Sequence, residues 1–256
     1  MINYIDTHSH IYLSQFDEDR KECISRAVSE GVYKIILPNI DAQSVKPMLD
    51  TVSDYPEACY PLIGLHPTHV KNNFEEELDV VLSTFESHHF LGIGEIGIDL
   101  YWDKTFIEEQ KFVFERQVRF ALERDLPVIV HARDSFQEII DVLKNINAKK
   151  FKGIFHAFAG FEVQAQEVIS MGFLIGLGGV VTFKNSTLPG VVKQLDLNHI
   201  VLETDSPYLA PTPHRGKRNE SAYIPLIAEK IAAIKTIGVE KVAEITTNNA
   251  CKVFNL

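Results

Sequence analysis

Eight short and nearly continuous apolar runs are spread along the whole chain, and they limit its possible folds more than any other feature. Continuous rather than alternating apolar runs are typical of parallel strands covered on both sides. Amphipathic helical patterns separate them, such as that at 108–125. Its apolar positions, which approximate one helical face, are 112, 114, 118, 120, 121 and 122. The eight runs are 3–8, 33–38, 61–67, 90–97, 127–132, 152–158, 172–179 and 199–205.

Eight strands alternating with helices predict an α/β fold, the (β/α)8 TIM barrel. The 256 residues fit it, because such barrels commonly form one domain of about 250 residues. No linker or low-complexity segment divides the chain, so we predict a single domain over 1–256. A doubly wound sheet is the alternative. Glycines 92, 94 and 97 do have GxGxxG spacing, but they follow the fourth run and lack the wider nucleotide-binding context.

Residue types that bind metal ions occur at the C-terminal ends of the predicted strands. His8 and His10 are two residues apart, so in a strand both imidazoles point to one face. The strand ends of a parallel barrel share one rim, where barrel enzymes hold their active sites. Each histidine alone is also explained as a core residue bonded to a carbonyl, but together they predict a metal site. The other candidates at this rim are Glu95, His131, His156 and Asp205.

The chain is acidic, with a formal net charge of −10 from 25 basic and 35 acidic residues. This balance argues against a broad nucleic-acid-binding surface. A phosphate-bearing substrate would need metal ions or local cations. The candidates are Arg133 and the cluster Arg215, Lys217 and Arg218, although a stretch such as HRGKR is also typical of a solvated loop.

Cysteine usage and hydropathy predict the cellular setting. The three cysteines are far apart and form no CxxC pair, which argues against disulfides and a thiolate zinc site. No apolar stretch approaches the roughly 18 residues of a membrane span, and no leader pattern is present. We therefore expect a soluble, cytoplasmic protein that does not contact membranes, as a monomer or weak oligomer.

The ordered motifs of the chain resemble those of the TatD family of metal-dependent deoxyribonucleases, within the amidohydrolase-like metallohydrolases. The resemblance runs from residue 5 to the closing NNACKVFNL. Ala157 and Ser221 depart from the family pattern, but neither is a candidate ligand. The motifs that carry the resemblance are DTHSH, GEIGID, PVIVHARD, FHAFAG, LETDSPYLAP and HRGKRNE.

The resemblance implies two divalent metal ions bridged by Glu95. Imidazole ligands favour Zn, Mn, Co or Ni, whereas Mg prefers oxygen, and the family's nuclease activity is usually described as Mg-dependent. The identity of the metal therefore stays open. The implied ligands are His8, His10, Glu95 and Asp205 for one ion, and Glu95, His131 and His156 for the other.

The resemblance also implies hydrolysis of DNA phosphodiester bonds by metal-activated water. We expect Asp205 to be the general base, and the resemblance assigns Glu203 to orienting water or substrate. Glu203 could instead be an interior carboxylate paired with Arg or Lys. His66 either contacts the substrate or makes a structural hydrogen bond. Tyr101 and Trp102 either stack on a base or pack over the rim.

The expected substrate is DNA, single-stranded or at 3′ ends. A second hypothesis is a metallohydrolase that cleaves a small-molecule amide or ester, which the same centre could perform. A third is a metal-bearing binding protein without catalysis. The unbroken set of candidate ligands argues against the third.

Overall fold

The computed structural model describes residues 2–256 and contains eight β-strands alternating with helices. Every strand ladder is parallel. The alternation predicted from the apolar runs is confirmed. The strands are β1 Tyr4–Asp6, β2 Val32–Leu37, β3 Cys59–Pro61, β4 Ile93–Asp99, β5 Val128–Arg133, β6 Gly153–Phe155, β7 Phe173–Leu177 and β8 Ile200–Leu202.

An α-helix follows each strand and covers the outside of the sheet. Two α-helices follow β8. No helix within residues 2–256 combines the length and apolar character needed to cross a membrane. The helices are α1 Arg20–Ser29, α2 Val45–Asp54, α3 Phe74–Thr84, α4 Ile107–Glu123, α5 Phe136–Ile146, α6 Glu162–Ser170, α7 Leu188–Gln194, α8 Ile224–Lys235 and α9 Val239–Phe254.

Two seams close the strands into the predicted (β/α)8 barrel. Ladders join β1-β2-β3 and β4-β5-β6-β7-β8. Between β3 and β4, Ile63 bridges to Ile93, and between β1 and β8, Ser9 bridges to Ser206. Backbone hydrogen bonds cross both seams, since the amide of Gly94 donates to the Ile63 carbonyl at 2.8 Å, and Thr7 donates to Leu202 at 3.0 Å.

The third predicted run, 61–67, extends further than β3 does. The ladder with β2 ends at Pro61, and the amide of Ile63 then donates to the carbonyl of Gly92, just before β4, at 3.3 Å. Pro67 begins a short 3-10 helix. The predicted run is longer than the regular strand because, after Leu62 donates to the Leu37 carbonyl of β2, the chain turns towards β4, where Ile63 bridges to Ile93.

Helix α4 matches the predicted helix at 108–125, but its buried face differs from the predicted one. Phe112 and Leu122 are exposed, whereas Gln110 and Gln117 are buried. The Gln117 amide bonds both the N–H and the carbonyl of Leu65, at 2.8 and 3.1 Å. These hydrogen bonds satisfy the buried amide. A polar side chain, which hydropathy would place in solvent, can therefore occupy a buried position.

Apolar side chains fill the lower part of the barrel and leave its C-terminal rim to polar groups. Phe254, at the end of α9, packs against this filling. The polar side chains of the strand ends therefore meet above an apolar floor. The floor contains Ile5, Ile36, Leu62, Ile129, Ile154 and Val201.

Gly97 of β4 has a φ of +148°, and a Cβ there would overlap the carbonyl oxygen of His131 on β5. We expect Gly97→Ala to lower the free energy of unfolding by about 2 kcal/mol or more, because both backbone strain and the overlap oppose it. Urea denaturation measures the change.

Gly190 of α7 is the matched control, because a Cβ there would meet open space. Gly190→Ala should leave stability unchanged or raise it by about 0.5–1 kcal/mol. Equal stability of Gly97→Ala and the parent protein would contradict the close approach of β4 to β5.

Candidate metal centre

Glu95 of β4 lies at the middle of a cluster of imidazoles at the C-terminal rim. Its Oε2 lies 3.1 Å from Nε2 of His8 and 3.4 Å from Nε2 of His10. Its Oε1 lies 2.7 Å from Nε2 of His156 and 2.8 Å from Nδ1 of His131. The two carboxylate oxygens therefore face two separate pairs of imidazoles, supplied by β1 on one side and by β5 and β6 on the other.

Asp205 adds a second carboxylate to the His8–His10 side. Its Oδ1 lies 3.6 Å from Nε2 of each histidine. The backbone of Asp205 is left-handed, with φ 56°, a conformation that Asp tolerates better than most residues. Its amide donates to the His8 carbonyl at 2.9 Å. The barrel seam therefore holds this carboxylate beside β1, and all six predicted ligands lie together in one cluster.

The neighbours of His10 fix which of its nitrogens carries the proton. Nδ1 of His10 lies 3.0 Å from the Tyr12 hydroxyl, which donates its own proton to the Pro38 carbonyl at 2.7 Å. The hydroxyl therefore accepts from Nδ1–H, and the lone pair of Nε2 points towards Glu95. Such outer partners commonly orient histidines that bind metals.

Asp99 likewise fixes which nitrogen of His131 carries the proton. Its Oδ2 lies 2.8 Å from Nε2 of His131, so Nδ1 presents its lone pair towards Glu95. Sequence reasoning missed both Asp99 and Tyr12. The signal for Asp99 is its position four residues after Glu95, which places both carboxylates on one face of β4.

His66, predicted as a substrate contact, lies against the second pair of imidazoles. Its Nε2 is 3.2 Å from Oε1 of Glu95. Its Nδ1 accepts the backbone N–H of Thr68 at 3.1 Å, which leaves the proton of the neutral ring on Nε2. Burial lowers the pKa of His66 to about 4, although Glu95 opposes the shift. His66 is therefore placed as a neutral hydrogen-bond donor, whereas a metal ligand needs a lone pair.

The cluster attracts cations. Glu95 and Glu203 are buried there beside the partly exposed Asp205, and within residues 2–256 no Arg or Lys forms an ion pair with them. Burial alone would lower the pKa of His156, but these carboxylates raise it to about 10. Imidazole nitrogens and carboxylate oxygens at such spacing are a donor set that suits a divalent transition-metal ion. The residues present therefore fit the metal that the sequence predicts.

Glu203 lies behind His156 and has one unpartnered oxygen. Oε1 accepts the backbone N–H of Ala157, while no partner reaches Oε2 among the described residues. Nδ1 of His156 is 3.8 Å from Oε1. Burial raises the pKa of Glu203 to about 8, and His156 opposes the shift. The alternative of an Arg or Lys pair with Glu203 is not formed within residues 2–256.

The predicted cationic side chains differ in whether they are exposed or already paired with a carboxylate. Arg133 and Arg215 are exposed and lie over aromatic rings, Arg133 at 3.8 Å from the Tyr101 centroid. Lys217 is also exposed. Arg218 instead forms a bidentate pair with Asp19, at 2.8 and 2.6 Å. The structure therefore gives Arg218 a role in anchoring its loop to the start of α1.

A (β/α)8 barrel whose rim joins imidazoles and carboxylates in this way defines a metal-dependent hydrolase. The chain belongs to the TatD family, because the family model described as TatD related DNase matches residues 5–255. The predicted family is thereby confirmed.

Individual relatives agree with this assignment. YabD of Bacillus subtilis (strain 168), described as an uncharacterized metal-dependent hydrolase, is 38% identical over 252 residues, which are 98% of each chain. YcfH of Escherichia coli (strain K12), described in the same words, is 28% identical over 256 residues, covering 98% of this chain and 96% of its own. The crystal structure of the TatD homologue YjjV from E. coli K12 superposes with a TM-score of 0.93 at 29% identity, covering 100% of both chains.

The variant Asp99→Asn separates the two hydrogen-bonding roles of the Asp99 carboxylate, which accepts from the backbone of Tyr101 and from the ring of His131. The amide oxygen still accepts the N–H of Tyr101, which now donates to Oδ1 at 3.0 Å. The amide nitrogen cannot accept from Nε2 of His131. We expect affinity for one metal ion to fall about 10- to 100-fold, as measured by titration against a chelating dye. Unchanged affinity, with unchanged thermal unfolding of the metal-free protein, would contradict the role of Asp99.

Proposed function

We propose that this protein is a deoxyribonuclease that cleaves DNA phosphodiester bonds with two divalent ions held around Glu95. One observation carries the binuclear assignment: the two oxygens of Glu95 face two separate sets of imidazoles, so each oxygen can serve a different ion. Asp205 contacts both histidines of the first set, and His156 of the second set also lies within reach of it. The proposed ligands are His8, His10, Asp205 and Oε2 of Glu95 for one ion, and His131, His156 and Oε1 of Glu95 for the other.

Asp205 is the proposed general base. When bound, the two ions would lower the pKa of a water molecule, and they would place positive charge beside the phosphoryl oxygens. The side chain of Asp205 is 16% exposed, compared with 4% for Glu95 and 1% for Glu203. Among these three carboxylates it is therefore the one that solvent reaches, as a group that accepts a proton from water must be.

Glu203 and His66 are proposed to position the reactants. The backbone N–H of Ala157 fixes the Glu203 carboxylate, and its unpartnered Oε2 is free to accept a hydrogen bond from water or substrate. His66 presents an N–H at Nε2. Once ions occupy Glu95, that N–H can donate to a phosphoryl oxygen instead.

Two observations favour DNA as the substrate. The family model carries the description TatD related DNase. Arg133 at the end of β5, and Arg215 and Lys217 in the loop after β8, are exposed cations. We propose single-stranded DNA or 3′ ends as the form that is cleaved. A small-molecule amide or ester remains the second candidate, since the same donor set performs that hydrolysis.

Variants of the β8 end test the catalytic roles. Asp205→Asn should abolish cleavage of end-labelled DNA by the metal-reconstituted protein, because the proton acceptor is lost. Glu203→Gln should lower kcat by roughly 10² or more while metal content is unchanged. Full activity of Glu203→Gln with both ions in place would contradict its positioning role. A parallel panel of small esters distinguishes the two candidate substrates, because turnover of esters alone would overturn the proposed nuclease.

The salt dependence of binding tests the cations. Each phosphate contact contributes about 0.7 to the log–log slope on single strands. Arg215→Gln with Lys217→Gln should therefore flatten the slope by up to about 1.4, as measured by titration of single-stranded DNA. Arg218→Gln is the matched control, because its guanidinium is held by Asp19, and it should lower thermal stability and leave the slope unchanged. An unchanged slope for the double variant would show that this loop does not contact the bound DNA.

A further inference from the structure

Two large aromatic side chains stand exposed beside the candidate metal centre. Trp102, the only tryptophan of the chain, is 69% exposed, and Tyr101 is 54% exposed. Both lie in the loop that follows β4, the strand that carries Glu95. The sequence left open whether they pack over the rim or stack on a base. Their exposure shows that the rim does not bury them.

Asp99 fixes this aromatic turn relative to the centre. Its Oδ1 accepts the backbone N–H groups of Tyr101 at 3.0 Å and Trp102 at 3.3 Å. Its Oδ2 lies 2.8 Å from Nε2 of His131. A single carboxylate therefore holds both a proposed metal ligand and the two aromatic residues, so the aromatic surface keeps a fixed position next to the reaction site.

Arg133 completes the surface from the end of β5. Its guanidinium carbon lies 3.8 Å from the Tyr101 ring centroid and 5.3 Å from that of Trp102. The two rings meet edge to face, with centroids 4.9 Å apart. Cation–π contact and edge-to-face packing both restrict the side chains before any ligand binds. We call these three residues the stacking platform.

The chemistry of the platform matches an unpaired nucleotide. Aromatic faces and arginine stack on bases irrespective of sequence, because every base has a π-face. The guanidinium beside them can neutralise the adjacent phosphate. A base within a duplex already stacks on its neighbours and must be unstacked before it can reach such a surface. A small amide or ester offers neither group.

We propose that Tyr101, Trp102 and Arg133 bind an unpaired base of the polynucleotide substrate and thereby direct the hydrolase towards single-stranded DNA. The proposal rests on the proposed nuclease function and assigns the strand selectivity of that same site. Stacking places the base beside His131, so the phosphodiester bond next to it lies at the metal centre.

The single tryptophan makes the platform directly measurable. Short oligothymidylate with phosphorothioate linkages should quench the fluorescence of Trp102 in the metal-loaded protein. An abasic oligonucleotide of equal length keeps the phosphates without the bases and should quench little. Trp102→Ala, measured by anisotropy with labelled DNA, should raise Kd for oligothymidylate by about 5- to 100-fold. It should change Kd for the abasic strand less than about 2-fold.

Kinetics separate the platform from the chemistry. Trp102→Ala should raise KM for single-stranded DNA and reduce the preference for single strands over duplexes. Trp102→Phe should restore most of the binding. Phe112→Ala is the matched control, because Phe112 is also an exposed aromatic but lies on the outer helix α4. It should leave Kd and KM unchanged.

Each outcome has a distinct meaning. An unchanged Kd for Trp102→Ala, or equal quenching by the abasic strand, would overturn the platform even if the protein cleaves DNA. Base-dependent quenching without cleavage of any polynucleotide would overturn the proposed nuclease and leave the platform as a nucleic-acid-binding surface.

Discussion

The carboxylate of Glu95 is the group on which the rest of the site depends. Burying an ionised carboxylate is costly unless compensating charges or hydrogen bonds surround it. Within residues 2–256 the ionisable side chains within 4 Å of its oxygens are histidines alone. Burial opposes ionisation, but the imidazoles of His156, His66 and His8 hold the pKa of Glu95 well below its ordinary range. The cluster is therefore stable only if several strand ends deliver imidazoles to one carboxylate, and the closed barrel provides this.

The barrel does so through one regular ladder and several irregular parts. The β4–β5 ladder runs past Glu95 and His131, whereas the ladders of β1, β6 and β8 end before His8, His156 and Asp205. Glu95 donates its amide to the Asn39 carbonyl at 3.0 Å, while the Asn39 amide donates to Gly94 at 2.9 Å. The end of β2 thus pairs directly with β4 at the position where β3 has turned away. The β1–β8 seam holds Asp205 beside His8 in the same way. Regular pairing builds the barrel wall and sets Glu95 near His131, and its interruptions bring the other candidate ligands to them.

This division between regular strand pairing and its interruptions explains how much of the fold and of the site could be predicted from the sequence. Strand positions and the two-residue spacing of His8 and His10 are local patterns, so the fold and the meeting of the six candidate ligands could be predicted from them. The pairs that hold the surrounding loops and helices in place are not local. Asp19 and Arg218 are 199 residues apart, and no pattern near Arg218 distinguishes a structural pair from a phosphate contact. The buried Gln117 shows the same limit, because its acceptor and donor on Leu65 are 52 residues away.

The net charge of −10 constrains how such a chain can bind a polyanion. Its overall field repels DNA, and screening by salt weakens the attraction of the few cations at the rim along with that repulsion. Stacking on an aromatic face depends on neither term, because it acts between neutral surfaces in contact. In the proposed function, Arg133 bears the only charge of the stacking platform, and the two rings supply affinity that the charge balance does not oppose. An acidic barrel can then hold a nucleic acid strand at a cationic centre without a basic surface around it.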